Sequence, residues 1–390
     1  SLFQHRVLYS DSFSQSMSRL GHEAHEIVWD FEVLQKQWAS EKGLKYDAEN
    51  WIVEILIAQL HNLKPDIVYL QGTELAIPRK NDPDGSMKIN IVSLLKDRHP
   101  SIRLIAMFSG FPSKVERVKG VDLIFSGTPY IQEHYKLRGA DTLLCYHAFD
   151  PSLLEYLGEK DEKYNFTFVG STRVPESRYW ALMELLEKSE IEMWIDEIEH
   201  QGRNDLLDRP KYELQDFCRS LGRNIVKRGI NVLDEHKLKM IASSSRTPKK
   251  LRGIAQELWS DRANKESFNV PKGCQHPGFR RFPSKSLMET FPSRCHDAVV
   301  GLEYYSVLRD SKLTFNKHTD QTGSSVGNMR LFEATGVGTC LVTDTRRNMI
   351  DLFEPDYEIL TYCSIDEVIE KVDYLLRNDE KRRQIALAGQ

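Results

Sequence analysis

Short apolar runs alternate with longer amphipathic stretches along the first 150 residues of the chain. The runs that read as strands are RVLYS, EIVWD, DIVYL, IRLIAMF, DLIFSGT and TLLCYHA. The stretches ENWIVEILIAQLHNL and KINIVSLLKDRH carry apolar residues at helical spacing, and Pro65 and Pro100 end them before the next strand. This pattern predicts βαβ units and a parallel sheet.

A second α/β unit is predicted after the linker YHAFDP, residues 146–151. YNFTFVG and IEMWI read as its first strands, with the helical ESRYWALMELLEKS between them. The alternation stops after about residue 201 and resumes at GLEYYSVLRDS. Ser364, with Glu367 three residues later, forms a capping box that predicts the start of a C-terminal helix. We therefore predict two α/β domains, residues 1–150 and 151–390.

The segment 201–290 differs from both domains in pattern and in charge. It contains 19 Lys and Arg against 10 Asp and Glu, whereas the whole chain has a net charge of −4. We predict an irregular basic insertion in the second domain. Either it is a solvated basic surface, or it contacts an anionic glycan or a membrane surface.

Composition narrows the class of protein further. Apolar residues make up 40% and charged residues 28% of the chain, which is typical of a folded protein. No apolar run approaches the roughly 20 residues needed to span a bilayer, and the first residues lack the pattern of a signal peptide, which favours the cytoplasm. The six cysteines form no CxxC pair and are expected to be reduced thiols, without a metal site.

Residues 313–352 contain the strongest functional signal. An apolar strand at 313–315 is followed by a loop of small residues at 322–327, a helix at 328–335 and a second strand at 339–343. A helix that begins behind such a loop favours anions at its N-terminus. Arg330 and Glu333 share a face of this helix, so a guanidinium can meet a phosphate while a carboxylate accepts hydrogen bonds from sugar hydroxyls. The alternative is a plain ion pair between the two side chains.

Other polar residues are predicted to converge on the same edge of the second sheet. Gly170 and Ser171 end the strand FTFVGS, and Arg173 and Arg178 follow them. Asn316, Lys317, His318 and Asp320 leave the strand LTF into the loop before the Arg330 helix. Either these side chains bind a ligand together, or the arginines face solvent and His318 is a surface histidine.

Several nucleotide-binding and hydrolase motifs are absent from the sequence. No GxGxxG follows the first strand, and the chain contains neither GxxxxGK[ST] nor GxSxG. These absences argue against a dinucleotide site, P-loop phosphoryl transfer and the common hydrolase elbow. Asp82 and Asp84 resemble a metal-binding DxD only in letters and are expected to form a solvated turn.

The segment NMRLFEATGVGTCLVTD and the residues that follow it to Gln390 resemble the C-terminal donor domain of GT-B glycosyltransferases, especially the CgeB-like group. The resemblance is strong over 301–390, weaker at FTFVGSTRVPESR and only architectural over 1–150. It implies two Rossmann-like domains facing each other across a cleft, an interdomain hinge at 146–151 and a last helix that packs on the N-terminal domain. It also implies glycosyl transfer from a nucleotide-diphosphate sugar, without a required cofactor or metal.

The resemblance further implies roles for individual residues. Glu333 would hold the ribose hydroxyls, while Arg330 and the amides from Ser325 to Asn328 would face the diphosphate. Many retaining GT-B enzymes carry a second Glu eight positions before the helix Glu, and this chain has Ser325 there, so the stereochemical outcome stays open. As acceptors of the proton from the acceptor hydroxyl we considered Asp11, after the first strand, and His147, near the hinge.

The expected acceptor is a glycan, glycolipid or related molecule of bacterial surface polysaccharide synthesis. Two other functions stay open: a nucleotide-sugar epimerase on the same plan, and a non-catalytic two-lobed protein that binds a sugar or nucleotide. Nucleic acid is not expected as a partner, because the basic segment lacks regularly spaced aromatic residues for base stacking.

Overall fold

The computed structural model contains two parallel β-sheets. It describes residues 11–71, 76–78, 88–112, 118–172, 176–196, 285–318 and 325–390. By its internal contacts the chain divides into one unit of Ser1–Asp196 with Phe291–Gln390 and another of Glu197–Thr290. Both parallel sheets lie in the first unit. The boundary near residue 150 therefore stays a prediction.

The first parallel sheet has the strand order β1-β4-β5-β6. The strands of this half of the chain are β1 (Ile67–Gln71), β2 (Ala76–Pro78), β3 (Lys88–Asn90), β4 (Leu104–Ser109), β5 (Leu123–Ser126) and β6 (Thr142–Leu144). β2 and β3 form a separate antiparallel pair. In the parallel sheet, Met107 of β4 lies opposite Ile124 of β5, and both are almost fully buried. Such continuous apolar runs are typical of strands covered by helices.

Five helices are described in the same half of the chain. They are α1 (Ser12–Arg19), α2 (Glu32–Glu41), α3 (Trp51–Leu63), α4 (Ile91–Arg98) and α5 (Pro129–Lys136). Residues from α3, α4 and α5 pack with β4 and β5 into one apolar core. α3 ends at Leu63, because Lys64 takes a left-handed conformation (φ 48°) and Pro65 follows it.

The second sheet is parallel throughout, in the order β12-β11-β10-β7-β8-β9. Its strands are β7 (Tyr164–Ser171), β8 (Glu192–Asp196), β9 (Cys295–Asp297), β10 (Ser311–Asn316), β11 (Cys340–Asp344) and β12 (Leu360–Tyr362). The chain starts at β7, moves outward through β8 and β9, and then returns to the other side of β7 at β10. The order therefore reverses between β7 and β10, which makes this pair the topological switch point where α/β proteins bind ligands.

Helices flank this sheet. They are α6 (Glu176–Lys188), α8 (Gly301–Arg309), α9 (Met329–Gly336), α10 (Ile365–Arg377) and α11 (Asp379–Gly389), while α7 (Leu287–Thr290) belongs to the second unit. Short 3₁₀ helices lie at Pro151–Tyr156 and Met349–Asp351. The capping box is confirmed, because the Ser364 hydroxyl accepts from the Glu367 amide at 3.2 Å.

The α/β prediction with two parallel sheets is confirmed, but one predicted strand is wrong. Residues 26–30 (EIVWD) form no strand. Ile27 and Trp29 nevertheless pack partly buried against the first core. Ile27, Val28 and Trp29 are all partly buried here in a loop, so a short apolar run can contact a core without forming a strand. The predicted first strand, RVLYS, and most of the insertion at 201–290 lie outside the described residues.

The last helix makes contacts in the C-terminal half of the chain. Arg382 is fully buried, and its guanidinium pairs with Glu162 at 2.9 Å, beside the start of β7. The Gln390 side chain donates to the Gly336 carbonyl at 3.2 Å. Packing of this helix on the N-terminal domain stays a prediction.

Two further sequence expectations concern cysteines and membrane spans. Cys145, Cys295, Cys340 and Cys363 are free thiols in the described part of the chain. Only Cys295 and Cys340 are buried. Over the same residues, no helix combines the length and apolar character required to cross a bilayer.

Loops at the carboxyl ends of the two sheets touch at Gly327 and Gly127. Gly327 has φ 146°, and a Cβ atom there would lie 2.5 Å from the Gly127 carbonyl oxygen and 2.7 Å from Cγ2 of Thr128. Neither distance is compatible with a side chain. Gly327 is therefore required by both its backbone conformation and the close approach of the two loops.

We expect Gly327→Ala to lower the free energy of unfolding by about 2 kcal/mol or more, since backbone strain and a steric clash act together. Gly139→Ala is the matched control, because Gly139 also has positive φ (80°) but no atom within 4 Å of its Cβ position. Urea unfolding of both variants measures the difference. Equal losses would contradict a close contact at Gly327.

Candidate functional site

The carboxyl ends of β7 and β10 are joined by one arginine. Arg178 of α6 donates from Nη1 to the Ser171 carbonyl at 3.2 Å, and from Nε and Nη2 to the Lys317 carbonyl at 3.2 and 2.6 Å. The predicted site residues Ser171 and Arg178 are thus brought together. Arg178 holds the two strand ends at a fixed separation, so its described contacts give it a structural role at the switch point. Arg173 lies outside the described residues.

Arg330 and Glu333 are bridged by a tyrosine hydroxyl. Nε of Arg330 donates to the Tyr304 hydroxyl at 2.7 Å, and that hydroxyl donates to Oε2 of Glu333. Nε of Arg330 and Oε2 of Glu333 are also 3.6 Å apart, and both side chains are largely buried. Burial raises the pKa of Tyr304 well above its ordinary value, so the phenol stays protonated and can donate. The predicted i, i+3 pair is therefore part of a three-residue cluster.

The guanidinium of Arg330 lies across the end of β7. Nη1 donates to the Val169 carbonyl, and the central carbon is 4.9 Å from the centre of the Tyr304 ring. A Cβ atom on Gly170 would lie 3.5 Å from Nη2. Within the described part of the chain, Nη2 makes no hydrogen bond. This leaves one charged NH₂ group beside a glycine at the switch point, which suits a ligand phosphate.

Asn316 and Asn328 pair with each other. The Asn328 amide donates to Oδ1 of Asn316 at 2.8 Å, and the Asn316 amide donates to Oδ1 of Asn328 at 3.3 Å and to the Thr343 hydroxyl at 2.9 Å. Asn328 is the N-cap residue of α9 but makes no side-chain cap hydrogen bond. The pair therefore fixes the start of α9 against β10. Ser325 is buried three residues earlier in the same loop.

His318 is fully buried and paired with an aspartate. Its Nδ1 lies 2.7 Å from Oδ1 of Asp344, which also accepts from the His318 backbone amide at 2.9 Å. Oδ2 of Asp344 accepts from Nε of Arg346 at 2.8 Å. Burial lowers the pKa of His318, whereas the hydrogen bond from His318 and the charge of Arg346 outweigh burial and hold the pKa of Asp344 well below its usual range. The sequence interpretation of His318 as a surface residue is wrong.

The two candidate proton acceptors lie in different surroundings. The His147 ring is 5.0 Å from the Phe108 ring, and its Nε2 is 3.5 Å from the Cβ position of Gly127, at the contact between the two loops. Asp11 precedes α1 and accepts from the Gln15 side chain at 2.7 Å. The next residue, Ser12, donates to Asp150 in the linker. Their catalytic roles stay predictions.

Sequence reasoning missed three residues of the site. Tyr304 lies on α8, where the pair Tyr304-Tyr305 reads as an ordinary apolar helix face. Asp344 is the last residue of β11 and Asn348 lies in the loop after it, where Asn348 holds Val326 through both backbone groups. The carboxyl end of β11 was the only available signal for Asp344, because strand ends in such sheets carry ligand-binding residues. In the described ranges no cluster of three or more His, Cys, Asp and Glu could hold a metal ion.

Comparison with known proteins gives one sequence match and several distant structures. Residues 253–390 match the family model described as glycosyl transferase-like. No curated protein sequence matches the chain.

The solved structures similar to the chain include three whose names mention UDP or a UDP-sugar. The HepE protein of Anabaena, in complex with UDP and glucose, is 11% identical over 91% of this chain and 83% of its own, with a TM-score of 0.46. An alpha-glucosyltransferase in complex with UDP-glucose and DNA containing an abasic site is 12% identical over 92% and 89%, with a TM-score of 0.47. A putative UDP-N-acetylglucosamine 2-epimerase from Listeria monocytogenes is 12% identical over 88% and 76%, with a TM-score of 0.39.

The buried His318 makes folding sensitive to pH. Its pKa is lowered in the folded protein, so its contribution to stability is complete above the unfolded value of about 6.5 and declines as the pH falls below it. We expect the stability advantage of the wild type over His318→Asn to shrink by up to about 1.4 kcal/mol per pH unit below that value. Urea unfolding at several pH values between about 5.5 and 7.5 measures this. An advantage that stays constant or grows would contradict a neutral buried imidazole.

Proposed function

We propose that this chain, whose residues 253–390 match the glycosyl transferase-like family model, transfers a sugar from a nucleotide-diphosphate sugar to a glycan or lipid-linked acceptor. The single observation that supports this best is the Arg330–Tyr304–Glu333 cluster at the switch point between β7 and β10. It presents a cation and a carboxylate side by side where the fold binds ligands. A nucleoside diphosphate offers a partner to each group, a phosphate to the cation and ribose hydroxyls to the carboxylate.

Arg330 supplies positive charge where the leaving diphosphate gains negative charge. Its Nη2 lies beside Gly170, and the first-turn amides of α9 add the positive end of the helix dipole. Fixed donors of this kind stabilise a leaving anion without reorganising during the reaction. We therefore propose that transfer requires no metal ion.

Glu333 recognises the sugar of the nucleoside. Its Oε2 is engaged by Tyr304, and the same carboxylate lies 3.6 Å from Arg330, which keeps it oriented. An oriented carboxylate accepts hydrogen bonds from neighbouring hydroxyls, as the ribose diol offers.

The cytoplasmic location and the role in surface polysaccharide synthesis are part of the same proposal.

Calorimetry with UDP, GDP and ADP, each in EDTA, tests donor binding. We expect at least one nucleotide to bind. Arg330→Gln should weaken the binding of the nucleoside diphosphate about tenfold or more. The affinity for the nucleoside without phosphates should stay nearly unchanged, because only the diphosphate loses a charge-assisted hydrogen bond. Glu333→Gln should lower the affinities for the nucleoside diphosphate and for the nucleoside by the same factor.

The exposed pair Glu370→Gln and Arg377→Gln on α10 provides matched controls and should bind as the wild type does. If no nucleotide binds the folded wild type, the proposed function is wrong. Turnover of a nucleotide sugar at full rate without an acceptor would instead indicate an epimerase.

His147 is our preferred proton acceptor, because it lies at the contact between the loops of the two sheets. Burial lowers its pKa, so the ring is a neutral base at neutral pH. We expect kcat/KM for nucleotide release to rise with pH along a limb whose apparent pKa lies below about 6.5. His147→Gln should remove this limb and slow the reaction by roughly 10²-fold or more.

Release of nucleotide from a panel of UDP- and GDP-sugars, followed from about pH 4.5 to 8, measures the profile. His22→Gln, at an exposed position, is the control for loss of a histidine. If His147→Gln retains the limb and the rate, another group accepts the proton, and Asp11 is the next candidate.

A further inference from the structure

All hydrogen-bonding groups of the Asn348 side chain are used at one junction. Oδ1 accepts from the Val326 amide at 2.8 Å. Nδ2 donates to the Val326 carbonyl at 3.3 Å and to the Tyr146 hydroxyl at 2.9 Å. A primary amide has one acceptor and two donor hydrogens, so it satisfies all three contacts, which neither a carboxylate nor a hydroxyl can do. Asn348 is nearly buried, so an unmade bond there would be costly.

The two partners of Asn348 belong to different functional segments. Val326 lies in the loop 325–328 that leads into α9, the helix of Arg330 and Glu333. Tyr146 lies in the linker 146–151 that connects the first sheet to the second. Asn348 is thus a direct hydrogen-bonded connection from the linker to the loop before the proposed diphosphate site.

The linker also contacts the other end of α9. The Phe149 ring packs directly on Gly336, and its centre lies 6.2 Å from the Tyr305 ring centre. At the first end, Gly327 is in close contact with Gly127 and Thr128. The first end of α9 therefore contacts the loop after β5, and its other end contacts the linker.

We propose that Asn348 is a positioning residue that couples the linker to the loop 325–328, so that the diphosphate of the donor is bound tightly only while the Tyr146–Asn348 hydrogen bond is made. This inference rests on the proposed function, since it concerns the same site. It predicts that a change in the linker, outside the donor site, weakens nucleotide binding through Asn348. A purely local structural role of Asn348 predicts no such effect.

A double-mutant cycle on nucleotide affinity tests the coupling. Tyr146→Phe removes one hydroxyl and keeps the ring. We expect it to lower the affinity for the tightest-binding nucleotide about three- to fivefold, because one neutral hydrogen bond is lost. Asn348→Ala should lower the affinity for the same nucleotide about tenfold or more. In the Asn348→Ala background, Tyr146→Phe should have no further effect, because the hydrogen bond that connects Tyr146 to the loop through Asn348 is already gone. Independent, multiplying effects would overturn the proposal.

Hydrogen exchange of the nucleotide-free protein separates this proposal from the proposed function. We expect Tyr146→Phe to speed exchange in a peptide covering 325–331 and to leave peptides of α10 and α11 unchanged. Unchanged exchange at 325–331 would overturn the coupling even if nucleotide binds. If exchange responds but no nucleotide binds the wild type, the coupling stands and the proposed function fails.

Matched variants control for folding. Tyr374→Phe and Asn165→Ala make the same chemical changes at exposed positions and should leave affinity and exchange at wild-type values. If Asn348→Ala does not fold, Tyr146→Phe alone is sufficient to test the proposal. A normal nucleotide affinity and a normal exchange pattern in Tyr146→Phe would overturn it.

Discussion

The hydrogen bonds of the Tyr304 hydroxyl determine how the candidate site is built. A buried arginine and glutamate both lose hydration, and their mutual attraction compensates only when further hydrogen bonds satisfy them. Tyr304 accepts from Arg330 and donates to Glu333, and the Val169 carbonyl takes a second guanidinium hydrogen. The charges are thereby satisfied within the protein while one guanidinium nitrogen stays available beside Gly170. An ion pair without the tyrosine would leave the two side chains less defined in orientation.

This cluster depends in turn on the arrangement of the second sheet. Tyr304 lies on α8, Arg330 on α9 and Val169 on β7, so three elements far apart in sequence must meet at one point. The reversal of strand order places β7 beside β10, and Arg178 ties their ends together through the Ser171 and Lys317 carbonyls. The geometry of the charged cluster therefore follows from the topology of the sheet, and no local sequence motif specifies it.

These dependences explain what the sequence could predict. Periodicity identified most of the described strands and the longer amphipathic helices, because parallel strands are continuous apolar runs and such helices have one apolar face. It did not predict α1, α2 or α5. It failed at 26–30, where Ile27 and Trp29 are partly buried without belonging to a strand. The spacing of Arg330 and Glu333 on one helix was readable, since both residues belong to one element. Tyr304 and Asn348 could not be found, because their partners are distant in sequence and their own surroundings read as ordinary helix and loop.

The N-terminus of α9 shows how stability and function differ at the site. Asn90 caps α4 by accepting from the Ser93 amide at 2.9 Å, whereas Asn328, the same residue type at the same position of α9, directs its side chain to Asn316. Other described helices also begin without a side-chain cap, so the missing cap alone indicates nothing. Asn50 of α3 and Asn378 of α11 likewise stand at the N-cap with side chains that donate elsewhere. What sets α9 apart is that the same helix carries the Arg330 guanidinium, whose Nη2 lies beside Gly170. A missing cap costs about 1 kcal/mol, and a bound anion can take its place at the first-turn amides. The Asn316–Asn328 pair therefore holds the helix in position while leaving its positive end to a ligand.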